Sequence, residues 1–138
     1  MEVSNDNIGI GWCLYSREGT LILQGCSAMN PTSTSLVAEA MAMWSAVQQL
    51  YRLYYTNVTF LSDCLRLIEA LYCMIRGRGK QDICHPEVIG VAEDIEAIAT
   101  KSNFNFKHVP RNLIDVVDNL AKDARLSNRS YVITWLNN

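Results

Sequence analysis

Short apolar runs, followed by a helical spacing of apolar residues, mark the first part of the chain. Residues 8–14 and 21–25 are rich in strand-forming residues, and the turn chemistry between them, with Gly19 to supply a positive φ, predicts a β-hairpin. A polar loop that ends in helix-capping residues follows the hairpin. Residues 36–53 then carry apolar side chains at steps of three and four, which predicts a long helix.

The rest of the chain alternates further strands with helices. The pattern predicts a strand at 58–61, helices at 64–75 and 86–100, a strand at 103–109 and a helix at 113–125. The first of these strands is apolar throughout, which is typical of a strand buried in a parallel sheet. Residues 126–138 are weakly patterned, and we expect them to form a C-terminal tail.

This order of elements predicts an α/β fold, in which a mixed sheet has helices packed on its faces. The sequence shows no internal repeat and no linker, so we expect its 138 residues to form a single domain. With 49% hydrophobic and 19% charged residues, the composition excludes disordered and low-complexity chains.

Charge and cysteine content narrow the class of protein. The net charge of −2 argues against binding nucleic acid by charge alone, although it is compatible with a local basic patch. No apolar run reaches the roughly 18 residues of a membrane span, so we expect no membrane partner. The polar, acidic N-terminus does not resemble a targeting signal. The 5 cysteines contain no CxxC pair and are expected to be reduced thiols of an intracellular protein, either nuclear or cytoplasmic.

Three acidic residues lie beside apolar positions, where a carboxylate is costly unless it has a partner. Glu39 is on or beside the apolar stripe of the long helix, Asp63 follows the buried strand, and Asp118 lies among apolar positions of the last helix. Each alone has an ordinary explanation: an edge residue that reaches water, a helix N-cap, and a partner for Lys122 or Arg125. Together, on three separate elements, they suggest a shared site for a hard cation such as Mg²⁺.

Five short motifs follow one another along the chain: Gly-Ile-Gly-Trp at 9–12, Glu-Ala-Met-Ala-Met at 39–43, Leu-Ser-Asp-Cys at 61–64, His-Val-Pro-Arg at 108–111 and Val-Asp-Asn-Leu-Ala-Lys at 117–122. In order, spacing and element type they resemble the type 1 ribonuclease H domain, in particular the reverse-transcriptase-like RNase H domains of plant retroelements. The resemblance covers residues 8–125. It implies an RNase H-like mixed sheet with helices on both faces.

The resemblance also implies an activity and the residues that carry it. Glu39, Asp63 and Asp118 match the carboxylates that hold two Mg²⁺ or Mn²⁺ ions in this family. His108 matches the mobile histidine that assists proton transfer or product release. The implied reaction is hydrolysis of the RNA strand of an RNA–DNA hybrid, in which one ion activates a water molecule and the other stabilises the leaving 3′ oxygen. We expect metal binding here to be weak.

One family motif has no counterpart. The first catalytic aspartate of the family lies in a strand that ends Asp-Gly-Ser or Asp-Gly-Ala, and this sequence contains no Asp-Gly pair. That strand would lie centrally, between the hairpin and the strand that ends at Leu61. We expect a shortened N-terminal strand, with residues 2–5 as a stub in this gap and Glu2 or Asp6 near the site. A strand from a second chain, as in a strand-mediated dimer, is the alternative, and activity should be strongly reduced either way.

A basic cluster, Arg76, Arg78 and Lys80, lies in the loop between the second and third helices. Some family members grip the substrate there, although a solvated loop explains the cluster equally well. Arg111, in the histidine motif, is a further candidate substrate contact. Two functions stay open: an RNA–DNA hybrid endonuclease with reduced activity, and an inactive retroelement-derived domain that binds nucleic acid or a protein weakly.

Overall fold

One five-stranded sheet and its helices account for the residues that the structure describes, which are 8–30, 34–75, 86–112 and 130–137. The structure is a computed structural model. Its elements in chain order are β1 (Ile8–Tyr15), β2 (Leu21–Met29), α1 (Ser35–Arg52), β3 (Val58–Ser62), α2 (Leu65–Ile75), a short 3₁₀ helix (Pro86–Val88), α3 (Ile89–Ser102), β4 (Asn105–His108) and β5 (Ser130–Asn137). The helix predicted at 113–125 lies outside the described residues. None of the helices in these ranges has the length and apolarity needed to span a membrane.

The strand order of the sheet is β2-β1-β5-β3-β4. β1 pairs antiparallel with β2 and with β5, whereas β3 pairs parallel with β5 and with β4. This is the mixed sheet that the order of elements predicted, and the hairpin of β1 and β2 is confirmed. With a parallel neighbour on each side, β3 is the buried parallel strand that its apolar sequence predicted.

The C-terminal segment corrects a prediction made from the sequence. The expected tail at 126–138 is wrong for Ser130–Asn137, which is β5 and lies at the centre of the sheet. β5 takes the place between the hairpin and β3 that a stub of residues 2–5 was expected to fill, and residues 1–7 lie outside the described residues. Val132 and Ile133 are both buried. Because both faces of β5 are covered, its sequence lacks the alternation that marks a half-buried strand.

The hairpin turn has the geometry that its residues predict. Gly19 has a φ of 88°, a conformation that residues with a Cβ rarely adopt. The N–H of Gly19 donates to the carbonyl of Ser16 at 2.9 Å, and the N–H of Ser16 donates to the carbonyl of Thr20 at 2.8 Å. In the resulting register Trp12 lies opposite Gly25. A Cβ at residue 25 would lie 2.7 Å from the Trp12 indole, so the close approach of this ring requires glycine.

The core lies between the sheet and the three α-helices of the described residues. Helix α1 begins after the N-cap Thr34, whose hydroxyl accepts from the N–H of Val37 at 3.1 Å. The buried stripe of α1 recurs at helical spacing and includes Leu36, Ala40, Met43, Val47 and Leu50. In β3, the buried Phe60 ring packs against the rings of Phe104 and Phe106, with centroid distances of 5.0 and 5.4 Å.

The start of β3 is tied to two other elements by uncharged hydrogen bonds. Asn57 has a φ of 57° and donates its N–H to the carbonyl of Ser102, at the end of α3, at 3.2 Å. Its own carbonyl accepts from the N–H of Ser130, at the start of β5, also at 3.2 Å. The Asn57 side chain accepts from the side-chain amide of Asn103. These bonds hold β3, α3 and β5 together at one end.

Candidate functional site

The first acidic residue of the site lies where β3 ends. Ser62, the last residue of β3, is buried, and its hydroxyl accepts from the N–H of Cys64 at 3.1 Å. Asp63 stands between the strand and α2, with 29% of its side chain exposed. The sequence analysis placed Asp63 directly after a buried strand. Ligand sites in α/β sheets form at the carboxyl ends of strands.

Glu39 reaches the same place from α1. It lies between the buried residues Ala38 and Ala40 and is itself half-buried. Burial raises the pKa of the Glu39 carboxyl, and the negative charge of Asp63 raises it further, while the positive charge of Arg111 lowers it. The charges of Asp63 and Arg111 thus act on the Glu39 carboxyl, and the role of Glu39 and Asp63 as metal ligands stays a prediction.

Arg111 contacts Asp63 directly. Its Nε–H donates to Oδ2 of Asp63 at 3.1 Å, and 93% of the Arg111 side chain is exposed. The segment that carries Arg111 is anchored by Val109, which is buried and donates its N–H to the carbonyl of Ser62 at 3.0 Å. The loop after β4 is thereby held beside the loop after β3.

His108 is the last residue of β4 and pairs in register with Ser62 of β3. Its side chain is exposed, and so is that of Lys107 before it. The carboxyl ends of β3 and β4 therefore carry acidic and basic groups at one edge of the sheet. The remaining predicted site residues, Asp118, Arg76, Arg78 and Lys80, lie outside the described residues.

Cys64 is a neighbour of the site that the sequence reasoning did not single out. Burial raises the pKa of the Cys64 thiol, a hydrogen bond with the backbone of Leu67 lowers it, and the charges of Glu39 and Asp63 raise it again. The net shift of this pKa is upward, which disfavours the thiolate form. Its position directly after Asp63 was the signal available.

Thr134 of β5 is a second residue that the sequence reasoning missed, because no strand was predicted there. It is 5% exposed, and its hydroxyl donates to the carbonyl of Leu61 at 3.3 Å. It pairs in register with Trp12, which belongs to the core that α1 covers. Leu61 pairs with Ile133, so Thr134 lies level with the last residue of β3. A side chain at this position therefore lies close to the end of β3.

Glu39 and Asp63 are two acidic residues that could hold a metal ion at this end of β3. Within the described ranges, no group of three or more His, Cys, Asp or Glu side chains is placed to hold a metal ion. Mg²⁺ is commonly held by one or two carboxylates together with water and substrate phosphate, which is a set that Glu39 and Asp63 match. A nearby positive charge favours the ionised form of Glu39 against the burial and the repulsion that raise its pKa. The chemistry of these two residues suits a hard divalent cation.

A protein-family model described as reverse transcriptase-like matches residues 2–124 of the chain. The matched range contains β1 to β4 and each of the predicted site residues. No curated protein matches the sequence.

Two solved structures have a similar fold. RNase H1 from the halophilic archaeon Halobacterium salinarum NRC-1 matches with a TM-score of 0.60 and 19% sequence identity, over 92% of each chain. The N-terminal RNase H domain of Rv2228c from Mycobacterium tuberculosis, solved as a fusion with maltose-binding protein, matches with a TM-score of 0.55 and 21% identity, over 86% of this chain and 92% of that one. The mixed sheet is therefore an RNase H-like fold, and the chain belongs to the reverse transcriptase-like family.

Proposed function

We propose that this chain is an RNase H-like domain that binds RNA–DNA hybrids and hydrolyses them only slowly. Membership of the family and the RNase H-like fold support a nucleic acid as the ligand. The observation that carries the proposal is the position of Asp63 at the carboxyl end of β3, where its charge acts on the half-buried Glu39 carboxyl of α1. Two carboxylates at one site are the donor set for metal-assisted phosphodiester hydrolysis.

Each group at this edge of the sheet has a part in the proposed chemistry. Glu39 and Asp63 would hold the cation, with Asp118 as the third predicted ligand. A bound divalent cation supplies an activated water molecule and stabilises the charge on the leaving oxygen. The exposed His108 and Arg111 would contact phosphates and so position the nucleic acid. An RNA strand is distinguished from DNA by its 2′-hydroxyls in a wide, shallow minor groove.

The sequence of β5 supports the slow rate. By the family resemblance, the strand with the first catalytic aspartate lies between the hairpin and the strand that ends at Leu61, and this is where β5 lies. None of the 8 residues of β5 is Asp or Glu. Removing one preorganised electrostatic group from a transition state slows a reaction by about 10²–10³-fold. We therefore expect cleavage of a hybrid to be at least about 100-fold slower than with the family's Asp-Gly strand in place.

Adding a carboxylate to β5 tests this expectation. Thr134→Asp places an acid on the α1 side of the strand, level with the end of β3. It should raise Mg²⁺-dependent cleavage of a fluorescent RNA–DNA hybrid by at least about tenfold. Thr134→Asn is the matched control, since it has the same shape without the charge. A folded Thr134→Asp protein that is as slow as the wild type would contradict the proposed cause of the slow rate.

Binding is tested separately from cleavage, so a variant that does not fold leaves the proposal testable. Fluorescence anisotropy of the wild-type chain should show tighter binding to an RNA–DNA hybrid than to duplex DNA of the same sequence. The affinity for both should fall as salt is raised, because phosphate contacts release counterions. Equal affinity for hybrid and duplex DNA would contradict the proposed ligand.

A second candidate is a domain that binds nucleic acid without cleaving it. The absence of any acidic residue in β5 favours this function. It predicts hybrid binding with no cleavage in either Mg²⁺ or Mn²⁺, and no gain of cleavage in Thr134→Asp. The slow nuclease predicts a slow rate that depends on Glu39 and Asp63, and Asp63→Asn should abolish it.

A further inference from the structure

Arg111 contacts the Asp63 carboxylate from the solvent side. Its Nε–H donates to Oδ2 at 3.1 Å, while 93% of the Arg111 side chain and 29% of the Asp63 side chain are exposed. A cation that arrives from solution approaches from the same side. An ion pair with this exposure is weak, because water and salt compete for both groups. The contact can therefore open without loss of the fold.

The backbone that carries Arg111 is held more firmly than its side chain. Val109 is 2% exposed and donates its N–H to the carbonyl of Ser62, one residue before Asp63. Pro110, whose ring restricts φ, joins this anchor to Arg111. The guanidinium therefore stays within reach of Asp63 even when the ion pair is broken. The backbone near Arg111 is thus anchored, whereas its charged side chain extends into solvent.

The charge of Arg111 acts on both carboxylates. It contacts Asp63, and it also lowers the pKa of Glu39 against the raising effects of burial and of Asp63. One guanidinium thus compensates part of the negative charge of the pair. A divalent cation bound between Glu39 and Asp63 would serve the same purpose with twice the charge.

We propose that Arg111 is an internal counter-ion of the Glu39–Asp63 pair, which a divalent cation must displace from Asp63 in order to bind. This inference rests on the proposed function in one respect, namely that the pair holds a cation. The lone pair of Oδ2 that accepts from Arg111 is occupied, and the guanidinium charge beside it repels a second cation until the guanidinium moves away. The displaced guanidinium stays at the same edge of the sheet and can bind a phosphate, so metal and phosphate each favour the binding of the other.

The test is a titration of the full chain with Mg²⁺ alone. Its readouts are calorimetry and the amide NMR shifts of residues 62–64. Arg111→Gln should bind Mg²⁺ about twofold to fivefold more tightly than the wild type, the effect expected from removing an exposed competing ion pair. Arg111→Lys keeps the charge and should stay within about twofold of the wild type. High salt should narrow the difference between Arg111→Gln and the wild type.

Arg66→Gln is the matched control, because Arg66 is an exposed residue of α2 that lies three positions after Asp63 and carries the same charge. The change in the logarithm of the Mg²⁺ affinity should be less than half of the change that Arg111→Gln causes. Equal tightening in Arg66→Gln and Arg111→Gln would overturn the proposal, since it would indicate a general charge effect. Equal affinity of Arg111→Gln and the wild type would overturn it while leaving the metal site of the proposed function intact. No response to millimolar Mg²⁺ in any variant would overturn both.

Discussion

The two ends of β3 differ in chemistry. At its start, Asn57 exchanges uncharged hydrogen bonds with Ser102, Asn103 and Ser130. At its end, Asp63 meets a half-buried carboxylate from α1 and a guanidinium from the loop after β4. Neutral hydrogen bonds that are satisfied within the fold add stability and do not call for a ligand. Half-buried groups of like charge repel each other and are stabilised by an opposite charge. The first end therefore holds the fold together, and the second end is the one at which we propose that ligands bind.

Only the 5 residues of Val58–Ser62 separate these ends. The middle of the strand is buried among aromatic rings, and both of its edges are paired with parallel neighbours. A stiff element of this kind keeps the charged end in place while the neutral end ties it to α3 and β5. Substitutions can therefore address the two ends separately.

Phe60→Ala removes the part of β3 on which both ends depend. Phe60 is fully buried between Phe104 and Phe106, so truncation leaves a cavity and should lower the free energy of unfolding by about 3–5 kcal/mol. Thr59→Ala, at the half-buried neighbouring position, should cost about 1 kcal/mol or less. Urea unfolding followed by circular dichroism measures both. Equal losses in the two variants would mean that the aromatic cluster does not support the strand.

Asn57→Val tests the neutral end. A β-branched residue at a φ of 57° is strained, and the side-chain bond with Asn103 is also lost, so the free energy of unfolding should fall by about 2–3 kcal/mol. Asn57→Gly tolerates the same backbone conformation and should lose only about 1 kcal/mol. Urea unfolding gives both values. Neither variant should alter the Mg²⁺-induced amide shifts at residues 62–64, and a change there would break the separation between the ends.

Asp63→Asn tests the charged end. Removal of the exposed ion pair with Arg111 should change the free energy of unfolding by less than about 1 kcal/mol. The affinity for Mg²⁺ should fall by at least about tenfold, because a carboxylate ligand is lost. Glu69→Gln, an exposed acid of α2, is the control and should leave the affinity unchanged. Calorimetric titration that shows equal affinities for Asp63→Asn and the wild type would remove Asp63 from the site.

Glu39→Gln should show the smallest effect, and one that depends on pH. The pKa of Glu39 is raised in the folded chain, so the folded state binds a proton more tightly than the unfolded state does. Wild-type stability therefore falls as the pH rises from the unfolded pKa of about 4.3 through the raised pKa. Glutamine does not titrate, so the variant should melt about one to two degrees higher than the wild type at neutral pH, and equally near pH 4.

The response of Glu39→Gln to Mg²⁺ tests whether a cation acts on Glu39. A cation at the charged end stabilises the wild type through the ionised Glu39 and stabilises the glutamine variant less. Millimolar Mg²⁺ should therefore reduce the difference in melting temperature between Glu39→Gln and the wild type at neutral pH. Melting curves by differential scanning calorimetry measure the effect. An advantage that is the same at acidic and neutral pH would show that burial of Glu39 carries no electrostatic cost.

Much of the fold was predictable from the sequence because its signals are local. The hairpin follows from its turn residues and Gly19, α1 from the spacing of its apolar residues, and β3 from an uninterrupted apolar run. Asp63 was placed correctly at the end of β3, because the site lies one residue beyond a strand that could be recognised. Glu39 was placed beside the apolar stripe of α1 for the same reason.

Only the tertiary structure decided which segment lies at the centre of the sheet and which cation meets the acids. Val58 pairs with Ser130, far along the chain, and the buried residues of β5 carry no local period that announces this pairing. Likewise, Arg111 meets Asp63 because parallel pairing of β3 with β4 brings the loops after the two strands together. Local patterns determine where elements begin and end, whereas contacts between distant segments depend on how the sheet is assembled, which is the property that a sequence pattern does not contain.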